Sequence, residues 1–174
     1  MTSLRTFITG CLVILLVGCK TNDFTSNDSF ASIFIEAPES TSNSMKQEVH
    51  LVVSGLKLYV LPKAMVQAED ILATDVVEAG DADLRQRFLL VQINRESAAK
   101  IMEYSAKALG KHFILVVNED TVGIMPIEQQ IVDGNLLFHV EQKGQTNDNA
   151  ALALSKKLNV TILKLRKLKD KEGK

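Results

Sequence analysis

Apolar and polar residues alternate along much of this chain in the pattern that is typical of β-strands. Val49, Leu51 and Val53 alternate with other residues, and the alternation resumes at Leu56 after Gly55, which predicts two short strands or one long bent strand. Segments rich in apolar residues predict further strands at residues 30–35, 88–93, 112–118, 122–131 and 136–141. Turn residues separate the last three of these segments, which indicates that they pair as hairpins.

Two other segments place apolar residues at intervals of three and four, the spacing of one helix face. The first is residues 94–109, where Asn94 suits the N-cap and Gly110 suits the left-handed residue that ends a helix. The second is residues 148–158. Residues 160–165, which follow it, have the β-branched composition of a closing strand.

Together these elements predict an α+β domain in which two helices pack on one face of a mostly antiparallel sheet. Met102 on the first helix and Leu115 on the strand that it covers are expected in the core. Residues 68–72 are predicted to form only a single helical turn. The length of 174 residues suits one domain.

The first part of the chain has the features of a secretory signal peptide. Arg5 supplies positive charge, and the uncharged run from Thr6 to Gly18 is shorter than the ~20 apolar residues that a bilayer-spanning helix needs. The run leads into Leu16 to Cys19 (LVGC), which resembles the lipobox of bacterial lipoproteins. The resemblance implies cleavage between Gly18 and Cys19 and acylation of the Cys19 thiol. An ordinary secreted protein and an N-terminal membrane anchor are the alternatives.

Acylation would make membrane lipid the first partner of this protein. Two or three acyl chains hold a protein stably at a membrane, whereas one chain holds it only marginally. Lys20 follows Cys19. By resemblance to the sorting rule of enteric bacteria, a residue other than aspartate at this position implies the outer membrane. We therefore expect a membrane-anchored lipoprotein that faces the periplasm, at the outer membrane.

Removal of the signal peptide is expected to leave a chain without a free thiol. Cys11 lies in the removed segment and lipid occupies the Cys19 sulfur, so no disulfide is expected. The whole chain has 20 basic and 21 acidic side chains. This near balance argues against nucleic acid as a partner.

The sequence divides into four parts. Residues 1–18 are the signal peptide, residues 19–47 a tether and poorly defined N-terminal segment, residues 48–168 a single α+β domain, and residues 169–174 a basic tail. The tether is inferred from the polar run KTNDFTSNDS at residues 20–29, which has no periodicity.

Basic residues concentrate near the end of the chain. Residues 155–174 hold eight lysine and arginine side chains against Asp170 and Glu172. Such a surface could contact anionic lipid, lipopolysaccharide or an acidic partner. A solvated helix end followed by a frayed tail is the simpler interpretation, and the sequence favours it.

No catalytic, metal or cofactor site is recognisable in the sequence. His50, His112 and His139 are not grouped with other ligands at metal-binding spacing. The acidic pairs Glu69-Asp70 and Glu119-Asp120 lie in predicted turns, where solvated carboxylates are common. No nucleophile elbow, P-loop or dinucleotide-binding fingerprint occurs. We therefore expect a protein that is not an enzyme and binds no cofactor.

The predicted strand Val122–Ile131 contains Pro126, which cannot donate a hydrogen bond to a neighbouring strand. We therefore expect this strand at an edge of the sheet, or bulged at the proline. An edge strand could accept an extended polypeptide, with Gly123 allowing close approach and with Ile124 and Met125 offering apolar contact. The alternative is that Pro126 only protects the edge from aggregation.

The order of elements between residues 58 and 158 resembles the head of the first periplasmic domain of SecD, an accessory subunit of bacterial protein export. The similar segments are Leu58 to Thr74 (LYVLPKAMVQAEDILAT), Gly110 to Asp120 (GKHFILVVNED), Val122 through Pro126 to Gly134, and Gln145 to Leu158. The resemblance implies the fold of that head and an ability to hold a polypeptide. The family's export role also depends on membrane helices that couple proton flow to movement of the head. The sequence after the signal peptide has no such segment.

The sequence thus favours a lipid-anchored envelope lipoprotein with a non-enzymatic protein-binding domain, acting in export or envelope protein handling. Its expected partners are membrane lipid, through acylated Cys19, and a protein or peptide. The alternative is an immunity or exclusion lipoprotein that blocks a toxin or an incoming element. An enzyme with an unrecognised site is a third class.

Overall fold

The computed structural model describes residues 24–80 and 85–172. Within them the chain forms eight strands and two α-helices: β1 (Ala31–Ile35), β2 (Gln47–His50), β3 (Lys57–Val60), β4 (Ile71–Ala79), β5 (Gln86–Ile93), α1 (Arg95–Lys107), β6 (His112–Val117), β7 (Asp120–Pro126), β8 (Asn135–Val140) and α2 (Asn147–Glu172). Short 3-10 turns are present at Asn43–Met45 and Ala68–Asp70. The predicted cleavage and lipidation residues, Gly18 and Cys19, lie outside the described residues.

Six of the strands form one antiparallel sheet, in the order β1-β6-β7-β8-β5-β4. Strands β2 and β3 form a separate hairpin, which contacts the large sheet through the bridges Glu36–Val60 and Leu51–Thr121. The predicted α+β class with a mostly antiparallel sheet is therefore confirmed.

β1 lies before the predicted domain boundary at residue 48, yet it pairs with β6 along its whole length. The folded unit thus begins earlier than predicted.

One face of the large sheet and both helices enclose the hydrophobic core. Alternation along β5 puts Leu89, Val91 and Ile93 into this core and turns the residues between them away from it. Ile101 of α1 and Leu154 of α2 belong to the same buried cluster. Both helices therefore pack against one face of the sheet, and full burial of each such side chain contributes about 1.5–3 kcal/mol.

Helix α2 is much longer than predicted. Residues 160–165, predicted as a closing strand, are helical, and α2 continues through most of the predicted basic tail to Glu172. The β-branched residues of this segment suggested a strand, but Leu158, Thr161 and Ile162 are buried at helical spacing. Burial along one helix face outweighs the weak intrinsic preference of these residues for strands. Within the described residues, neither helix has the length and hydropathy to cross a membrane.

The buried stripe of α1 is narrower than the sequence suggests. Its buried residues are Ser97, Ile101 and Ser105, at intervals of four. Met102, predicted in the core, is 40% exposed. It follows Ile101 directly and therefore lies about 100° further around the helix. Leu115, the other predicted core residue, is fully buried in β6.

Strand β4 has no counterpart among the predicted elements. The predicted helical turn at residues 68–72 is a shorter 3-10 turn at Ala68–Asp70, and β4 follows it directly. Polar residues such as Asp75 and Glu78 interrupt the apolar alternation of β4 because this strand is partly exposed at the end of the sheet. Its pattern therefore lacks the clear signal of the central strands.

Both edges of the large sheet are partly covered by other parts of the chain. On β1, Ile33 donates a backbone hydrogen bond to Val66 (2.9 Å) and accepts one from Met65 (2.7 Å). On β4, the side chain of Asn159 in α2 accepts a hydrogen bond from the N–H of Thr74 (2.9 Å) and donates one to its carbonyl (2.8 Å). The Asn159 amide thus takes the place of a neighbouring strand, and such cover keeps an edge from pairing with another chain.

Replacement of Asn159 by alanine is expected to lower the free energy of unfolding by about 1–3 kcal/mol, because the N–H of Thr74 loses its acceptor. The carbonyl of Thr74 keeps only the longer hydrogen bond from Oγ of Ser155 (3.2 Å). Denaturant titration measures the change. Asn149→Ala, at an exposed position in the first turn of the same helix, is the control because it makes the same substitution away from the edge of the sheet. Equal losses in the two variants would show that the Asn159 contact does not stabilise the fold.

Candidate functional site

Strand β7, which contains the predicted partner-binding residues, lies inside the sheet. It pairs with β6 on one side and with β8 on the other. Gly123 and Ile124 are the residues that face β8 in this register. The prediction that Gly123, Ile124, Met125 and Pro126 belong to an edge strand is therefore wrong. Strand order depends on contacts between residues that are distant in the sequence, and a single proline does not determine it.

Gly123 allows close packing between the protein's own strands. A Cβ atom at this position would lie 3.0 Å from Cγ1 of Val140 and 3.3 Å from Cβ of Leu115. These side chains thus fill the space above the glycine. A ligand backbone therefore cannot come close to Gly123, contrary to the expectation from the sequence. Pro126 is tolerated because it is the last residue of β7, where the strand has already separated from β8.

A groove opens where β7 and β8 separate. The two strands pair at Gly123 and Ile124, and beyond these residues Met125 and Pro126 line a groove of about 840 Å³. The lining also includes side chains from β4, β5, β8 and the loop between β7 and β8, among them Val77, Phe88, Leu90, Glu128, Asp133 and Leu137. We call this the open-face groove.

The floor of the open-face groove is the sheet face that the helices do not cover. Because Leu89 and Val91 point into the core, Phe88 and Leu90 point the other way. Leu90 lies opposite Leu137 of β8, and Leu137 is 37% exposed. The floor therefore presents apolar side chains in a place where the protein covers them only in part.

The wall of the groove is the loop at residues 127–134, which connects β7 to β8. Ile127 and Ile131 are buried and hold the loop to the core. The N–H of Ile131 donates a hydrogen bond to Oγ of Ser105 (3.0 Å), which ties the loop to α1. The protein's own contacts thus hold the wall in place.

The charged residues that line the groove are acidic. Glu128 and Asp133 lie in its wall, and Asp75 lies on the same face of the sheet, opposite Leu90. Hydrogen bonds from the side chain and the backbone N–H of Asn135 hold the pKa of Asp133 below its ordinary value. This carboxylate is therefore ionised at neutral pH. An occupant with apolar side chains and positive charge matches these surroundings.

Two of the histidines lie beside carboxylates in the fold. Nδ1 of His112 is 2.6 Å from a carboxylate oxygen of Glu36, and Nε2 of His50 is 2.8 Å from one of Glu48. The first pair joins residues far apart in the sequence, so ligand-spacing arguments do not find it. Within the described ranges, no three His, Cys, Asp or Glu side chains gather closely enough to hold a metal ion.

The acidic pairs in the predicted turns have structural surroundings. Asp70 accepts hydrogen bonds from the N–H of Gln67 (3.1 Å) and from Nδ2 of Asn94 (2.9 Å). It thus holds the turn before β4 to the start of α1. Glu119 lies in the turn between β6 and β7, with a left-handed φ of 76°. Both carboxylates belong to turns, where the sequence places them.

One signal for the open-face groove is present in the sequence. β5 is apolar on both of its faces, with Phe88 and Leu90 alternating with Leu89 and Val91. Helices that pack on one face leave the other uncovered. A strand of this composition therefore indicates either a second covering layer or an exposed apolar face. The sequence contains no signal for the acidic wall, because only the tertiary fold brings Glu128 and Asp133 close to the floor.

No family model and no curated protein matches this sequence. Two solved structures are similar in fold. One is a crystal structure of SecDF in its super-membrane-facing form, with a TM-score of 0.48 and 14% identity over 75% of this chain and 19% of that chain. The other is a structure of SecDF, a membrane component that enhances protein export, with a TM-score of 0.49 and 11% identity over 78% of this chain and 62% of that chain. This protein thus spans less than two thirds of either structure.

Proposed function

We propose that this protein is a lipid-anchored envelope lipoprotein whose α+β domain binds polypeptide segments and catalyses no reaction. The segment from Leu16 to Cys19 supports the anchor, because an aliphatic residue and smaller residues precede a cysteine at the end of a signal-peptide core. Lys20 supports location at the outer membrane, with the domain facing the periplasm. A role in export or envelope protein handling fits a binding domain held there.

The open-face groove is the observation that carries the binding proposal. Phe88, Leu90 and Leu137 form an apolar floor that the rest of the chain covers only in part. Apolar side chains of a partner would remove this surface from water, which is worth about 25 cal/mol per Å². Since the wall is already held by its own contacts, binding requires little ordering of the protein.

The occupant that we propose is an extended polypeptide that carries both apolar and basic side chains. Alternate side chains of an extended chain point the same way, so one set can contact the floor. Basic side chains in such a segment would lie near Glu128 and Asp133 in the wall and near Asp75 beside the floor. An acidic peptide of equal apolar content is disfavoured by the like charges.

A fluorescein-labelled peptide in which leucine alternates with lysine tests this proposal by fluorescence anisotropy, with the acylated protein in phosphatidylcholine vesicles. Leu137→Asn is expected to weaken binding by about tenfold or more, because it places a polar amide on the apolar floor without adding charge. Leu137 is 37% exposed, so the substitution should leave the fold intact. Leu109→Asn is the matched control, since Leu109 follows α1, outside the groove, and is 58% exposed.

The charge of the peptide provides a second comparison. A peptide in which leucine alternates with glutamate is expected to bind more weakly than the leucine–lysine peptide. Asp133→Asn is expected to reduce the difference in affinity between the two peptides, because it removes one carboxylate from the wall. Equal binding by the Leu137→Asn and Leu109→Asn variants would exclude the groove as the binding site. Equal binding of the two peptides would exclude a role for its charge.

A further inference from the structure

The chain that leads into the domain is tied to the middle of α2. Nζ of Lys164 is 2.6 Å from a carboxylate oxygen of Asp28, and the N–H of Ser29 donates a hydrogen bond to Oγ1 of Thr161 (2.9 Å). Asp28 is only 4% exposed. The hydrogen bond from Lys164, together with one from the backbone N–H of Thr25, holds the pKa of Asp28 below its ordinary value. The ion pair therefore persists at neutral pH.

This connection lies close in sequence to the proposed anchor. Phe24, the first residue that the structure describes, follows Cys19 by five positions, a stretch of chain that spans at most about 18 Å. The ring of Phe24 packs edge-on against Phe30, with 5.1 Å between the ring centroids. An acylated Cys19 would therefore keep α2 close to the membrane surface.

Helix α2 carries a solvent-facing stripe of apolar and basic residues. Its members recur at intervals of three and four, which places them on one side of the helix; they are Leu152, Lys156, Val160, Leu163, Lys167 and Lys171. Leu152 is 43% exposed, Val160 54% and Leu163 56%. The core uses the other side of the helix, where Leu154 and Leu158 are buried. We call the exposed set the outer stripe.

The outer stripe is positively charged. Its lysines lie beside one acidic residue, Asp170, and two further exposed basic residues adjoin it, namely Lys157 and Arg166. The guanidinium of Arg166 also donates a hydrogen bond to the carbonyl of Leu72 in β4. Apolar and basic residues on one helix face are typical of helices that lie in the interface of an anionic membrane. The long lysine stems let the ammonium groups reach phosphates while the neighbouring apolar side chains enter the acyl boundary.

We propose that the outer stripe of α2 lies against the anionic phospholipid surface that holds the Cys19 anchor. This inference rests on the lipid anchor proposed above. Because α2 packs on the sheet face opposite the open-face groove, docking through the outer stripe turns the groove away from the membrane and toward the periplasm. The anchor then determines the orientation of the binding site as well as its location.

The short connection from Cys19 to Phe24 and the lysines act together in this docking. The predicted tether at residues 20–29 is effectively shorter, because Asp28 and Ser29 are bound to α2. A connection of at most about 18 Å keeps the outer stripe at a high local concentration near the surface, so weak contacts suffice. Each lysine near an anionic surface changes the docking equilibrium about fivefold. Salt screens this attraction, and the Debye length falls to about 3 Å at 1 M.

A fluorescent label on the outer stripe tests the docking. Leu163→Cys provides a single reactive thiol, because Cys11 is removed with the signal peptide and acylation occupies the sulfur of Cys19. The acylated protein, labelled with nitrobenzoxadiazole, is reconstituted in phosphatidylcholine vesicles with or without phosphatidylglycerol. Emission is expected to shift to the blue, and to be quenched by doxyl lipids, only with phosphatidylglycerol. The shift is expected to disappear in about 1 M salt.

Matched variants separate docking from attachment. The same label is also placed at Val132, which is 69% exposed in the wall of the groove. There its emission is expected to be that of a water-exposed label in both kinds of vesicle. Lys156→Gln combined with Lys167→Gln is expected to shift the docking equilibrium about 25-fold toward the undocked form. Lys100→Gln combined with Lys107→Gln removes the same charge from exposed positions of α1 and is expected to leave docking unchanged.

The mass of the N-terminal peptide distinguishes the possible failures. A peptide without acyl groups would overturn the anchor and, with it, the docked orientation. If the protein is acylated but the label at Leu163 shows water-exposed emission in vesicles with phosphatidylglycerol, the docking alone is overturned. The label at Leu163 could instead be shielded from water in vesicles without phosphatidylglycerol, with a blue shift that grows at higher protein concentration. This result would show that a second copy of the protein covers the outer stripe, and it would overturn the lipid contact. Protection at Val132 would show that the groove faces the membrane.

Discussion

Replacement of Cys19 by serine is expected to abolish incorporation of palmitate and to leave an uncleaved or soluble form of the protein. Serine lacks the thiol that would accept the diacylglycerol in the proposed lipoprotein, and cleavage before residue 19 would follow that acylation. Two or three acyl chains hold a protein stably at a membrane, so their loss should change its distribution completely. Metabolic labelling and sucrose-gradient fractionation measure both effects, and the wild-type protein is expected in the outer-membrane fraction.

The chain offers a matched control for this experiment. Cys11 lies within the apolar run, before the expected cleavage position, so Cys11→Ser leaves the Cys19 thiol in place. We expect this variant to incorporate palmitate at the wild-type level. Failure of the wild-type protein to incorporate palmitate would refute the lipoprotein proposal. Label that persists in Cys19→Ser would place the acylation at another residue.

Replacement of Leu115 by alanine is expected to lower the free energy of unfolding by about 2–5 kcal/mol. Leu115 is fully buried in β6, between Ile33 of β1 and Gly123 of β7 in the sheet. Loss of its side chain removes buried apolar surface and leaves a cavity. Gly123 has no side chain that could move into this space, so we expect little relaxation from that side. Denaturant titration measures the loss.

Met102→Ala is the control for the Leu115 substitution. Met102 is 40% exposed on α1, and removal of a largely exposed apolar side chain should cost less than about 1 kcal/mol. The comparison therefore separates a core position from a surface position. A loss under about 1 kcal/mol for Leu115→Ala would contradict the inward orientation of Leu115 in β6.

Local features of the sequence predict many of the element boundaries correctly. Asn94 caps α1 as expected, with its side chain accepting a hydrogen bond from the N–H of Ser97 (2.8 Å). Gly110, placed after that helix, has a left-handed φ of 78°. Gly134 has a φ of 68° in the predicted turn before β8. Each feature depends on residues that are neighbours in the chain, so the sequence alone contains the necessary information.

The position of a strand within the sheet is decided by the tertiary structure. Pro126 suggested that a strand running to Ile131 lies at an edge or is bulged at the proline, but β7 ends at Pro126 and lies between β6 and β8. β8 pairs with β5 through Asn135–Phe138, and its last two residues pair with Gly123 and Ile124 of β7. These pairings join segments that are far apart in the sequence, and their free energy depends on packing across the whole sheet.

The end of α2 shows the same division between local preference and tertiary packing. Residues 160–165 have a composition that suits a strand, yet the core buries Thr161 and Ile162 at helical spacing. The helix also brings Asn159 to the backbone of Thr74 at the edge of β4. Neither contact can be inferred locally, because each partner lies in another element.

The candidate sites divide in the same way. The resemblance to a lipobox can be recognised from the sequence because it depends on a few consecutive residues. The open-face groove exists only in the fold, since Leu90 and Leu137 meet across two strands and Asp133 reaches them from a loop. Recognition of the outer stripe requires both the sequence and the tertiary structure. Its spacing follows from the sequence once α2 is known to be helical, whereas its closeness to the proposed anchor depends on the tertiary contact between Asp28 and Lys164.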